Sequence, residues 1–360
     1  MQIGWIDLLD FRNYRTLSYR PSPQLNVVTG ANAQGKSNLL EAVAVLLTGR
    51  SFRTTRLAEL PRLGADLASL AGEVHRAEGG RTVRRTLRRR EDGVWQGSGD
   101  ECPWARLVTF GWQDLEIVNG VPAVRRNFLD GFAARLYPSH RATFVRFREI
   151  LARRNRLLQE RLPAGMLASR LAPWDEQLAM VGMELIARRR RAAAALQTEI
   201  ARVYPSLAGD RRALSGDHEK VEIRYRASVG EATEPGALLA ALERMRPAEI
   251  RRGQTLVGPH RDDLAIELGG VDARAFGSRG QQRLLALALR LAEVLPIREA
   301  VGTTPVLLLD DALSELDPDV RDNVLREIGS VEQVLLTTAD ALDVPGAARW
   351  IVRKGEIAAA

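Results

Sequence analysis

The apolar positions of the chain fall into three regimes. Near the amino terminus they come in short runs separated by polar turns, IGWIDLL, LSYR and LNVVT, which predict strands. GANAQGKS follows as a loop, and then NLLEAVAVLLTG, apolar at helical spacing and stopped by a glycine. Residues 67 to 110 hold β-like pieces with glycine-rich breaks, AEGG and GVWQGSG. From 125 to 204 the pattern turns helical. RATFVRFREILARRNRLLQERL and WDEQLAMVGMELIARRRRAAAALQTEIARVY, joined by PAGMLASRLAP, predict a helical hairpin too interrupted for a long coiled coil. Beyond it, VEIRYRA alternates as a strand, TLVGPHRDDLAIELGG reads as loop and strand, and GALLAALERMRPAEIRRG and SRGQQRLLALALRLAEVL read as helices. VLLLDD and QVLLTTAD are buried-strand runs flanking a short helix, PDVRDNVLREIG. There is no internal repeat.

Strand runs at both ends of the chain predict an α/β fold whose sheet is assembled from the N- and C-terminal segments, with the helical middle inserted as a lobe. A chain of 360 residues is long for one hydrophobic core, which agrees with two packed units. The formal charge is +7, and only three of the 52 basic residues are lysine, the rest being arginine. Guanidinium forks suit phosphate oxygens, so an anionic partner fits the balance. Cys102 is the only cysteine, so no disulfide framework or thiolate zinc cluster is expected, and the histidines make no metal-ligand spacing. Asp7 and Asp10 interrupt the stretch a signal peptide would need, and no apolar run approaches the roughly 20 residues of a membrane span. The expectation is a soluble cytoplasmic protein.

Gly30-Ala31-Asn32-Ala33-Gln34-Gly35-Lys36-Ser37 matches GxxxxGK[ST] between a strand and a helix, the context that motif needs. The glycines permit the tight path that turns backbone N–H groups toward phosphate oxygens, and the helix start adds its field. Lys36 would span the β- and γ-phosphates and Ser37 take one Mg²⁺ position. A lysine here, in a chain that otherwise uses arginine, marks a slot that requires lysine. The chain is expected to bind ATP with Mg²⁺.

This loop gives the adjacent carboxylates of VLLLDD a task. Two neighbouring acids at a strand end repel each other unless a cation lowers the cost. Asp310 then holds the metal, and Asp311 orients and deprotonates the attacking water. Ser278-Arg279-Gly280-Gln281-Gln282, before that strand, opens a helix with its hydroxyl and amides facing outward. Together the three motifs form the set of the ATP-binding-cassette ATPases, in which the serine-headed helix start reaches the γ-phosphate held by another copy.

With LDFRNYRTL (9–17), GANAQGKSNLLEA (30–42), RRNFLD (125–130), GPHRDD (258–263), SRGQQR (278–283) and LLLDDALSELD (307–317), the chain resembles the RecF family of bacterial recombination mediators over essentially its full length. These are short relatives of the SMC and Rad50 proteins. The resemblance implies an ABC-type ATPase head with an inserted helical lobe: residues 1–120 and 251–360 form the head and 121–250 the lobe. It implies Ser278 to Gln282 as the signature acting in trans, and Ser314, Glu315, Leu316 and Asp317 as a loop crossing a homodimer interface. Arg12 would face the nucleotide. It further implies ATP-dependent dimerisation, DNA binding, and work with RecO and RecR to load RecA at single-strand gaps, with a weak ATPase as the switch.

The chain departs from cassette patterns in places. Asp311 stands where most cassettes have glutamate, and Leu336 to Asp340 contain no histidine to sense the γ-phosphate; both suit slow turnover. Gln113, in LVTFGWQDLEIV, is the candidate Mg²⁺-sensing glutamine, although the family commonly has Pro-Glu there. Asn32 and Gln34 are further candidates for phosphate contact. For DNA, the dense basic runs are 81–90, with Arg84, Arg85, Arg88, Arg89 and Arg90, and Arg188, Arg189, Arg190 and Arg191. A solvated charge run is the competing reading of each. Trp95, Trp104 and Trp112 are not spaced as a stacking platform and are expected in the core or at the lobe junction. Other functions fit less well. A transporter ATPase subunit would not need FRNY or GPHRDD, a Rad50-like nuclease partner needs a long coiled coil and a CxxC hook, and a metabolic kinase has no use for SRGQQR.

Overall fold

The computed structural model describes residues 1–160, 162–209, 220–340 and 342–360. Two compact units are present: a head of Met1–Leu115, Val203–Leu214 and Arg283–Ala360, and a lobe of Glu116–Arg202 and Ser215–Gln282.

The head begins with β1 (Gln2–Phe11), β2 (Tyr14–Tyr19), β3 (Gln24–Thr29), α1 (Lys36–Thr48), β4 (Leu67–Arg76), β5 (Gly79–Arg89), β6 (Trp95–Gly99) and β7 (Leu107–Phe110). The chain then runs through α2 (Glu116–Asn119), α3 (Pro122–Leu136), α4 (His140–Gln159), α5 (Ala164–Ala208), β8 (Val221–Arg226), α6 (Pro235–Arg252), β9 (Asp263–Leu268), β10 (Val271–Asp272), α7 (Ala273–Phe276) and α8 (Arg279–Leu291). It closes with α9 (Val294–Val301), β11 (Val306–Asp310), α10 (Pro318–Ile328), β12 (Gln333–Thr338), β13 (Ala348–Arg353) and β14 (Glu356–Ala359).

Six strands in the order β14-β13-β3-β12-β11-β7 form one head sheet, parallel except for the terminal β13–β14 hairpin. N-terminal β3 and β7 are therefore interleaved with the C-terminal strands. Five more, β2-β1-β4-β5-β6, form an antiparallel sheet. Helix α1 touches strands of both sheets, and its residues from Leu39 to Leu47 are buried without a break. A helix enclosed on all sides must be apolar all round, which is why NLLEAVAVLLT shows little amphipathic contrast. Parallel pairing of β11, β12 and β3 brings their C-terminal ends together, and the phosphate loop and the two aspartates leave from those ends. No helix among the described residues is long and apolar enough to cross a membrane.

The lobe departs from the sequence reading in three ways. First, the two expected helices are present but PAGMLASRLAP is mostly not their connection, because α4 ends at Gln159 and α5 already begins at Ala164, running unbroken to Ala208 through Pro173. Leu167 and Leu171 before the proline and Leu178 after it are all buried, so one continuous apolar stripe outweighs the backbone bond that Pro173 cannot make. Secondly, the lobe carries a three-stranded sheet, β10-β9-β8, besides its helices. Thirdly, the divisions fall at Leu115/Glu116 and Gln282/Arg283 rather than at 120/121 and 250/251. Residues 251–282 stay with the lobe because RRNFLD and GPHRDD lock together there. Arg125 grips Asp263 through two bonds of 2.8 Å, and Arg126 donates to the Asp262 carbonyl at 2.7 Å. Asp130 receives two bonds of 2.7 Å from Arg189, which also donates to the Pro259 carbonyl.

Candidate nucleotide-binding site

The phosphate loop leaves β3 through Gly30 at φ 148° and reaches α1 through Gly35 at φ 119°, both in the region that favours glycine. Space demands glycine too. A Cβ on Gly30 would lie 2.4 Å from the Val352 carbonyl oxygen, and one on Gly35 2.6 Å from the Asn13 amide nitrogen. Lys36 folds back across the loop, donating to the carbonyls of Gly30 at 2.7 Å and Ala31 at 3.1 Å. Burial pulls its ammonium below the usual lysine value, opposed by the negative charges of Asp311 and Asp310.

FRNY gains a physical role that its sequence alone did not disclose: it braces this loop. Asn13 donates to the Gln34 carbonyl at 2.9 Å, and the Tyr14 hydroxyl donates to the Gly35 carbonyl at 2.9 Å. Burial pushes the Tyr14 phenol upward, so it stays a neutral donor. Arg12, expected to face the nucleotide, is instead clamped by two 2.7 Å bonds to Glu41 on α1. Glu41 is fully buried, and Arg53 and Ser51 also donate to it; a carboxylate so deep needs those partners. Gln34 is likewise occupied, its side-chain oxygen accepting the Lys354 N–H at 2.7 Å from the β13–β14 turn. Asn32 and Ala31 are exposed at the lip of the loop.

Opposite the loop, Ser37 Oγ donates to Asp310 Oδ1 at 2.8 Å, across 273 positions of sequence. Thr337, at the end of β12, donates to the same oxygen at 2.8 Å and accepts the Asp311 N–H at 3.0 Å. Asp311 itself is left-handed, at φ 52°. Asp310 and Gln113 line one small cavity of about 70 Å³ with Arg53, Thr109 and Arg290. Hydroxyl, carboxylate and amide oxygens make a hard donor set, which suits Mg²⁺. Trp112, expected in a core or junction position, is 68% exposed beside this cavity.

The serine-headed stretch caps α8 reciprocally. Ser278 N–H donates to Gln281 Oε1 at 2.9 Å and Gln281 N–H donates to Ser278 Oγ at 3.3 Å, a capping box with Gln at the third position. Ser278, Arg279 and Gly280 are exposed, while Gln282 donates to the carbonyls of Ala273 and Arg274. Arg283, the last residue of SRGQQR and one given no role from sequence, donates to Ser314 Oγ at 2.6 Å and the Asp311 carbonyl at 2.9 Å, and pairs with Glu315. It therefore ties α8 to the start of the loop Ser314–Asp317.

A family model described as an AAA domain matches residues 6–119, the segment holding the phosphate loop and its brace, and so assigns nucleotide binding to it. The DNA replication and repair protein RecF of Synechococcus sp. (strain JA-3-3Ab) is 38% identical over 387 residues, covering 99% of this chain and 98% of that protein. The chain belongs to the RecF family. RecF of Heliobacterium modesticaldum is also 38% identical, over 94% of this chain and 92% of its own length. Among solved structures, the recombination mediator protein RecF-ATP in the RecFOR pathway superposes with a TM-score of 0.85 at 28% identity, covering 99% of this chain and 97% of that one. An Smc head bound to the C-winged helix domain of ScpA shares the fold, with a TM-score of 0.57 at 15% identity over 100% of this chain and 97% of that one. The full-length RecF match favours the recombination reading over a transporter subunit.

Within this RecF-family chain the two arginine runs separate sharply. Arg189 is 2% exposed and spent on Asp130, so it offers nothing to a nucleic acid. Arg188 is held by Thr143 and Glu184, Arg190 by the carbonyls of Ala232 and Gly230, and Arg191 lies over the Tyr137 ring. The run is thus largely consumed in holding the lobe. On β5 the side chains alternate: Val83 and Leu87 are buried, and Arg85 packs with them, donating to the Leu46 carbonyl at 3.2 Å. Arg84 and Arg88 stand exposed on the other face, and Arg89 and Arg90 lie near Asp66 and Asp92.

Proposed function

We propose that this chain is an ATP-switched, DNA-binding recombination mediator that works in the cytoplasm with RecR and RecO to promote RecA loading at single-strand gaps. Two copies close on ATP, with Ser278 to Gln282 of each reaching the γ-phosphate held by the other and Ser314 to Asp317 lining the interface. Lys36 and the loop amides cradle the phosphates. Ser37, Asp310 and Gln113 would hold Mg²⁺, which supplies charge neutralisation at the phosphates when bound. Asp311 orients the attacking water, and its carboxylate, one methylene shorter than glutamate, keeps turnover slow and the closed state long-lived.

The observation that carries this reading is the Ser37–Asp310 bond. It joins the two halves of a phosphate- and metal-binding site within a chain whose relatives match it from end to end. Duplex-phosphate contact falls to Arg84 and Arg88, with Arg89 and Arg90 beside them. The test is molecular mass in solution, by light scattering with and without ATP and Mg²⁺, for wild type and Ser278→Arg. Wild type should become dimeric with ATP and bind DNA more tightly in that state, while the variant binds ATP and stays monomeric. A wild type that binds ATP yet remains monomeric defeats the shared-site mechanism.

A further inference from the structure

We infer that Thr337 is a positioning residue for hydrolysis, setting the relative orientation of the two carboxylates that follow β11. This rests on the reading of the site as an ATPase and adds to it a residue given no role so far. Thr337 lies directly opposite Asp310 in the parallel β11–β12 register and is fully buried. A hydroxyl has one proton to give. The Asp310 carboxylate can only accept, so the Thr337 proton points to Asp310 Oδ1, 2.8 Å away. A Thr337 lone pair is then left for the Asp311 N–H at 3.0 Å.

The arrangement makes Thr337 a hinge pin between consecutive residues with different tasks. Asp310 Oδ1 is drawn by two hydroxyls, Thr337 from beneath and Ser37 from the phosphate loop, which leaves Oδ2 to face the site. Asp311 adopts φ 52°, a left-handed conformation that a non-glycine residue holds where its surroundings favour it. The bond to its own N–H supplies the constraint on that side, while its carbonyl accepts from Arg283 and Ser314. Remove the hydroxyl, and Asp311 keeps the bonds to its carbonyl but loses the one to its N–H, the only one shared with Asp310, while the phosphate loop and its amides are untouched. Thr337 sits in the segment where many cassettes place a histidine, but its bonds run to the carboxylates.

The test compares Thr337→Val, which keeps the shape and deletes the hydroxyl, with Thr337→Ser, which keeps the hydroxyl. Single-turnover ATP hydrolysis, the Kd of a fluorescent ATP analogue and Tm are measured on the full chain. Thr337→Val should slow hydrolysis about ten- to hundredfold, the loss typical of a catalytic group misplaced by about 1 Å. Its Kd should stay within about threefold of wild type, since uniform binding is unaffected. Thr337→Ser should recover most of the rate. Should valine unfold the chain, Thr337→Ala, which also lacks the hydroxyl, carries the same expectation. Hydrolysis at the wild-type rate in the valine or alanine variant overturns the proposal, as does a serine variant as slow as valine at equal Tm. If wild type itself binds ATP and never hydrolyses it, the ATPase reading falls instead, and this inference with it.

Discussion

Ser37 and Asp310 meet at 2.8 Å although they lie 273 positions apart, one heading α1 and the other ending β11. β3 and β11 must each pair in register with β12 between them before that contact exists. The site is therefore a readout of the folded head. Asp310→Asn keeps the size of the side chain and removes its charge. We expect a fall in ATP hydrolysis of roughly a hundredfold, equivalent to about 3 kcal/mol of transition-state stabilisation. ATP binding measured without Mg²⁺ should persist. Equal loss of metal-free binding would mean that Asp310 shapes the loop and is not a metal carboxylate.

Asn13 and Gln34 give a second prediction, about pre-organisation. The phosphate loop is held from one side by Asn13 and Tyr14 and from the other by the Lys354 amide. Asn13→Ala removes one bond to the Gln34 carbonyl, worth about 1 kcal/mol. Nucleotide Kd should rise about fivefold while Tm changes little. Unchanged affinity, by equilibrium titration, would show that the loop needs no brace.

Much of this site was legible because each motif carries its own chemistry: the phosphate loop needs glycines and one lysine, and the metal needs a strand-end carboxylate. The terminal apolar runs likewise announced a shared sheet. The braces were not legible, because Asn13, Thr337 and Arg283 act through a few hydrogen bonds whose partners lie 21 to 32 positions away, and no periodicity records such contacts. The arginine runs misled for a related reason. Arg189 and Arg85 look in sequence like their neighbours, and only the helix or strand face each occupies decides whether a guanidinium meets solvent or a buried partner. Pro173 misled because local propensity lost to the burial of Leu167, Leu171 and Leu178.

The Arg189–Asp130 pair should therefore behave as a structural lock. Arg189→Met leaves the Asp130 carboxylate buried with His140, at 3.1 Å, as its side-chain hydrogen-bond partner among the described residues, a loss of about 3–5 kcal/mol for a broken buried pair. Hydrogen–deuterium exchange should accelerate in α3 and β9 of the full chain. The double change Asp130→Leu with Arg189→Met should recover part of the loss, since no charge is then stranded. An exchange pattern identical to wild type in Arg189→Met would show that the pair adds nothing.

His260 predicts a pH dependence. Burial lowers its pKa to about 4 from 6.5, opposed by the bond from Nε2 to the Thr255 carbonyl, with the charges of Arg261, Arg126 and Arg154 also lowering it. The unfolded chain binds this proton more readily than the folded one, so stability falls as pH drops through 6.5 toward 4. Between pH 7 and pH 5 the loss is on the order of 2 kcal/mol. Denaturant midpoints of wild type and His260→Gln should converge toward pH 5, since glutamine has no proton to gain. Parallel midpoints across that range would remove His260 as the source.

Arg84 and Arg88 carry the DNA prediction, because the fold leaves their guanidinium groups exposed where it takes Arg85 and Arg189 away. Each phosphate contact contributes close to one unit to the slope of log K against log salt. Arg84→Gln with Arg88→Gln should lower that slope by about 2 and weaken binding to every duplex sequence alike, with ATP affinity preserved. Arg85→Gln should instead lower Tm, having lost its bond to the α1 backbone, and leave the slope alone. If the double variant keeps the full slope while binding DNA, the outer face of β5 is not the phosphate-reading surface. The search then passes to Arg89 and Arg90, whose partners Asp66 and Asp92 stand 3.6 Å away and are exposed enough to be exchanged for phosphate.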